Sequence, residues 1–152
     1  MGAWVLIAAV VAVLAIGIWR AAVNGRFRGT HAVKGSGVEA APDAAEREPS
    51  ELVGLLPGGT TLGERATLLQ FSTAFCAPCR ATRRTLAEVA ALVPGVTHVE
   101  IDAEHHLDLV RRLRVLRTPT TLVLDATGRE VTRAAGAPRK EQVLTALAQA
   151  SP

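Results

Sequence analysis

The sequence predicts an α/β fold, a mixed central sheet flanked by helices. Two observations lead to it. From residue 66 onward, short apolar or alternating runs trade places with longer runs whose apolar residues recur every three or four positions. Their order is strand, helix, strand, helix, strand, strand, helix, and breaks such as Pro94-Gly95 and Ala126-Thr127-Gly128 separate them.

Taken in order, residues 51–56 make a weak strand candidate that ends at Pro57-Gly58-Gly59. Residues 66–72 (ATLLQFS) are apolar enough for a buried strand. Residues 80–92 predict a helix with Ala81, Leu86, Val89 and Ala90 on one face and Arg83, Arg84 and Glu88 outside. Residues 97–102 alternate as a strand, and 104–113 form a second helix with Leu107, Val110 and Leu113 inward. Residues 120–125 and 130–134 read as a hairpin, and 138–150 as the last helix. Helical crossovers join the first three strands of this series, which predicts that they are parallel, with the hairpin adding an antiparallel edge.

The chain has 152 residues, room for one domain and an appendage. It is 49% hydrophobic, yet only 3% aromatic, so the core is built from Leu, Val, Ala and Ile. A net charge of +3 without a clustered basic patch gives no case for nucleic-acid binding. Two cysteines allow one disulfide at most, which excludes a disulfide-stapled scaffold.

The mean hydropathy of +0.25 points to the N-terminus, where Gly2 to Trp19 carry no charge and Trp4 and Trp19 stand near the ends of the run. No lysine or arginine precedes the run, and Arg20 interrupts any cleavage site after it. The expected organisation is therefore a transmembrane anchor over 1–20, a flexible linker over 21–50 rich in Gly, Ala, Pro and charge, and a folded domain over 51–152. Arg20, Arg26, Arg28 and Lys34 follow the run, which by the positive-inside rule favours a cytoplasmic domain.

Both cysteines lie in Thr73-Ala74-Phe75-Cys76-Ala77-Pro78-Cys79-Arg80, between the buried strand and the helix. A cysteine at a helix N-terminus has its thiolate stabilised by unpaired N–H groups and the helix dipole, and a second one a turn later can close a disulfide with it. In such a pair the first sulfur attacks and the second resolves the mixed disulfide. Pro78 suits an early helical position, where a missing N–H costs least. Two other readings compete. A zinc site needs two further ligands, and no second Cys-x-x-Cys or Cys/His knuckle exists beside His31, His98, His105 and His106. A purely structural disulfide across two intervening residues closes too short a loop to constrain much. Adjacent His105 and His106 would point about 100° apart on a helix and are read as surface residues.

The run from Leu69 to Cys79, with Val99-Glu100-Ile101-Asp102, Val115-Leu116-Arg117-Thr118-Pro119-Thr120, Asp125-Ala126-Thr127-Gly128-Arg129-Glu130 and Gly136-Ala137, resembles the thioredoxin superfamily. With the N-terminal run, the likeness extends to membrane-anchored thioredoxin-like proteins with a Cys-Ala-Pro-Cys active site. The resemblance implies a thioredoxin-like fold and a cis Thr118–Pro119 bond against the cysteines. It also implies that the backbone of Thr118 pairs with an extended substrate chain. Departures are Phe75 where the family has tryptophan, Ala77 where thioredoxin has glycine, Gln70 where it has a buried carboxylate, His98 where it has a lysine, and Arg84 in place of a kink proline. A glutamine cannot act as general base for Cys79.

The function so implied is a membrane-tethered thiol–disulfide oxidoreductase, with Cys76 and Cys79 catalytic and Phe75, Ala77, Pro78, Thr118 and Pro119 receiving the substrate. Its partners are protein disulfides or dithiols and a separate redox protein that resets the pair. The membrane is a further partner through the N-terminal helix, and no cofactor or metal is needed. The family analogy puts the domain outside the membrane, against the charge bias. A non-enzymatic tethered binding module and a metal carrier are the alternatives.

Overall fold

The computed structural model describes residues 2–23, 25–29 and 49–150. Its elements run α1 (Gly2–Val23), β1 (Phe27–Gly29), α2 (Pro49–Leu55), β2 (Ala66–Ser72), α3 (Ala77–Leu92), β3 (Val96–Asp102), α4 (Leu107–Arg112), β4 (Thr120–Asp125), β5 (Glu130–Ala135) and α5 (Lys140–Ala150). One five-stranded sheet has the order β1-β5-β4-β2-β3.

The sheet is buried on both faces. On one, Leu69, Phe71, Ile101, Leu122 and Leu124 pack with Leu52 and Leu56 at α2 and with Leu109 and Leu113 at α4. On the other, Leu68, Val96 and Val123 pack with Leu86 and Val89 of α3 and Val143 and Leu147 of α5. All seven residues of β2 are buried, the polar Thr67, Gln70 and Ser72 among them, whereas β5 alternates. The α3 helix buries Cys79, Thr82, Leu86 and Val89, one stripe of its surface, and stops before Pro94.

Several expectations change. Residues 51–56 are not a strand; α2 covers most of them, and its Leu52 faces the core. Strands β2 and β3 are parallel, but β4 runs antiparallel to β2. A parallel β4 would need the chain to travel back along the sheet after β3. The six residues of α4 cover only about 9 Å, against ~23 Å for a seven-residue strand. The chain therefore enters β4 at the end where β3 left off. Part of the expected linker also joins the sheet, since Phe27–Gly29 pairs with Thr132–Ala134 of β5. The ends of that linker, 21–23 and 49–50, belong to α1 and α2, and its residues 24 and 30–48 lie outside the described residues.

The anchor expected over residues 1–20 is corrected. Among the described residues, no helix is long and apolar enough to cross a membrane. With the anchor go the single-pass localisation, the membrane as a partner and the question of which side the domain faces.

Gly25 shows how closely β1 is docked. Its N–H donates to the Ala135 carbonyl at 3.1 Å, its φ is +76°, and a Cβ there would lie 2.1 Å from the Ala137 carbonyl oxygen. Gly25→Ala is therefore expected to release β1, with loss of hydrogen-exchange protection at Phe27–Gly29 and unchanged protection in β2 and β4. Equal protection in the variant would show that β1 is not held by this contact.

Candidate redox site

The end of β2 delivers the chain to the cysteines. Cys76 is the N-cap of α3, with φ −90° and ψ 99°, and Pro78 falls in the first turn of the helix. Cys76 and Cys79 form a disulfide with Cα atoms 5.1 Å apart. The Cys79 N–H donates to Cys76 Sγ at 3.1 Å, so the cysteine sulfur takes the capping role that a serine or aspartate oxygen usually fills. The helix therefore starts three residues before the expected Arg80, because Pro78 and a capping Cys76 are both favourable there.

The two sulfurs differ in environment. Cys79 is only 2% exposed, whereas Cys76 is half-buried. Around them Ala77 and Pro78 are exposed, and Phe75 is 97% exposed. The Thr118–Pro119 bond is cis, as the resemblance implied. Thr118 Oγ1 lies 3.5 Å from Thr73 Oγ1, which brings the start of β4 against the cysteine turn. The carbonyl of Pro119 accepts from Gly136 N–H at 2.7 Å, which ties this loop to the end of β5. All seven expected site residues thus belong to one region. Leu116, 94% exposed three residues before Pro119, was not singled out from sequence; both Val115 and Leu116 stand between Arg114 and Arg117, and only the fold buries the first and exposes the second.

Beneath the pair lies a polar chain. Gln70 is fully buried, and its Nε2 donates to the Cys79 carbonyl at 3.0 Å. Its Oε1 lies 3.1 Å from His98 Nε2. Since the amide nitrogen faces a carbonyl, the amide oxygen is left to accept, and His98 Nε2 must carry the hydrogen. A second link runs from Ser72 Oγ, which donates to Glu100 Oε1 at 2.6 Å, while Arg83 of α3 donates to Glu100 Oε2 at 3.2 Å. His98, which stands where the family has a lysine, is set by the parallel register opposite Leu68 and diagonal to Gln70.

Burial holds the His98 imidazolium below its ordinary range; Glu100 opposes this shift and Arg83 adds to it. Asp102 is pulled down chiefly by the backbone N–H of Glu104 and then by His105, whose Nδ1 lies 2.8 Å from its carboxylate. His105 is thus engaged with Asp102, and His106 Nδ1 lies 3.1 Å from the Asp102 carbonyl.

A parallel strand feeding a capped helix, a Cys-x-x-Cys disulfide at that junction and a cis Thr118–Pro119 loop that meets the cysteine turn at Thr73 define a thiol–disulfide exchange site. Comparison with known proteins agrees. Residues 60–151, well over half of the chain, match the thioredoxin-like domain family. The chain belongs to that family, and it is a thiol–disulfide oxidoreductase. It is 29% identical over 85 residues to a thioredoxin H-type of Fagopyrum esculentum, covering 56% of this chain and 72% of the relative. A thioredoxin structure from Nicotiana alata is 25% identical with a TM-score of 0.53, covering 59% of this chain and 76% of that one. Fasciola hepatica thioredoxin shares the fold at 21% identity and a TM-score of 0.52, covering 59% and 84%. The likeness reaches the thioredoxin-like domain and does not extend to a membrane-anchored branch or to one defined by Cys-Ala-Pro-Cys.

Because the folded state binds the His98 proton less readily than the unfolded chain, the contribution of His98 to stability is full above the ordinary histidine pKa near 6.5 and declines as pH falls through its lowered folded value. Urea unfolding between pH 7.5 and pH 5 is expected to show this loss in the wild type and a smaller one in His98→Gln. Identical pH dependences would contradict it.

Proposed function

We propose that the Cys76–Cys79 pair exchanges electrons with protein disulfides and dithiols, Cys76 attacking and Cys79 resolving. The observation that carries this reading is the contrast between the two sulfurs: Cys76 sits half-buried at the helix cap, and Cys79 is shut beneath it. In the reduced protein the Cys76 thiolate has the α3 dipole and the neighbouring N–H groups to stabilise it. It attacks a substrate disulfide and expels one substrate sulfur, leaving a mixed disulfide. Cys79 then loses its proton and attacks Cys76, and the second substrate sulfur departs and is protonated. The substrate gains two electrons and two protons, and the pair ends as a disulfide. A separate dithiol protein resets it by the reverse steps.

The substrate-receiving rim consists of Phe75, Ala77, Pro78, Thr118 and Pro119, to which Leu116 is added here. Phe75 and Leu116 are the exposed large apolar side chains on the two segments that meet at Thr73 and Thr118. Exposed apolar groups beside a reactive bond suit a partner that is a protein surface rather than a small molecule.

Reduction of insulin by dithiothreitol tests the reading. The wild-type chain is expected to accelerate it, Cys76→Ser to fall to the rate of dithiothreitol alone, and Cys79→Ser to accumulate a mixed disulfide at Cys76. A wild type no faster than Cys76→Ser would overturn the proposal. Phe75→Ala is expected to raise KM for insulin about tenfold, ~1.4 kcal/mol, with kcat little changed.

A further inference from the structure

We propose that Gln70 and His98 are positioning residues for the resolving step, bracing the Cys79 end of the pair against β2 and β3 so that Cys79 Sγ stays within reach of Cys76 Sγ when the disulfide opens. The inference rests on the assignment of Cys79 as the resolving sulfur.

The geometry leaves Gln70 one role. Its amide is fully buried, and each end meets a single polar group: the Cys79 carbonyl at 3.0 Å and His98 Nε2 at 3.1 Å. An amide whose oxygen already accepts from an imidazole N–H is neither a base nor a conduit for the Cys79 proton. It can fix a position. By holding the Cys79 carbonyl it fastens the first turn of α3 to the central strand, and His98 keeps the amide from turning over. One turn further, Ser72 and Arg83 meet on Glu100 and fasten the same helix to β3. The disulfide closes the pair covalently only in the oxidised state; the brace does not depend on that bond.

Nor does the brace depend on pH in the neutral range. His98 is faced by Gln70 from β2, Glu100 from its own strand and Arg83 from α3. Its Nε2–H donates whether the ring is neutral or protonated. A brace and a proton relay therefore make opposite predictions for a substitution that keeps the N–H and removes the titration.

The resolving step forms the Cys79–Cys76 sulfur bond and breaks the bond from Cys76 to the substrate sulfur. The Cys79 proton passes to water, and the departing thiolate takes one up. The brace exchanges neither electrons nor protons; it raises the effective concentration of Cys79 at Cys76.

Glutathione serves as the probe. The full chain is equilibrated with reduced and oxidised glutathione and quenched in acid, and mass spectrometry gives the ratio of closed disulfide to Cys76–glutathione mixed disulfide. His98→Leu and Gln70→Leu are expected to lower this ratio about tenfold at equal glutathione, through lost positioning. His98→Gln, which keeps an N–H for Gln70, is expected to restore it to near wild type. Thermal melts and circular dichroism identify folded variants, and His98, only half-buried, keeps the test open if Gln70→Leu does not fold. A folded His98→Leu with the wild-type ratio overturns the brace. So does a His98→Gln as impaired as His98→Leu, because titration would then be what matters. A Cys79→Ser variant, which has no resolving thiol, that forms no glutathione mixed disulfide at Cys76 overturns the Cys76 assignment instead, a distinct result.

Discussion

Strand β2 is hydrogen-bonded to a neighbour on each side and buried along its whole length, and the other parts of the molecule take their positions from it. Its odd-numbered residues Leu69 and Phe71 face the layer of α2 and α4; Leu68 faces the layer of α3 and α5. Because side chains alternate, Gln70 must share the face of Leu68. It therefore sits under α3, where no water reaches it. The same strand ends at Ser72, four residues before Cys76, so the cysteine turn inherits the rigidity of the most buried strand in the sheet.

That constraint makes the polar groups beneath the pair costly unless paired. A buried amide left without a partner costs about 1–3 kcal/mol, so Gln70 requires both of its hydrogen bonds. A neutral amide avoids the larger cost of a buried unpaired charge. The charged groups at this end of the sheet, Glu100 and Arg83, meet near solvent, where screening makes an ion pair worth little in stability and useful mainly for orientation. The apolar core thus supplies the stability, and a few hydrogen bonds supply the register between α3 and the sheet.

Much of this was legible because local chemistry coincided with the final fold. Pro94 and Gly95 stop α3 in any context, Asp125 through Gly128 turn the hairpin with Asp125 accepting from Thr127 and Arg129, and the apolar run of β2 admits little but burial. What escaped depends on partners distant in sequence. The three residues of β1 have no period of their own and become a strand only because β5 offers an edge. The direction of β4 is set by the shortness of α4, not by any residue within β4. Residues 51–56 are apolar enough for either structure, and the core beside Leu122 and Leu124 takes them as a helix. The cysteine site was the most legible part, since Cys-x-x-Cys and Thr118-Pro119 are local signals. The contact of His98 with Gln70 spans 28 positions and follows only from the strand register. The uncharged N-terminal run, with Trp4 and Trp19 near its ends, pointed to an anchor, but among the described residues no helix is long and apolar enough to cross a membrane.

The pairing of β1 with β5 also governs how the sheet meets other chains. Without Phe27–Gly29, β5 would present an unpaired row of N–H and C=O groups, the kind of rim on which foreign strands accumulate. At the opposite rim, β3 carries Thr97, His98, Glu100 and Asp102, a polar sequence that makes a poor template for such growth. A redox protein has to let go of every partner it meets. One rim is thus reduced to a three-residue edge strand and the other is polar, which leaves neither as a long flat template for strand addition.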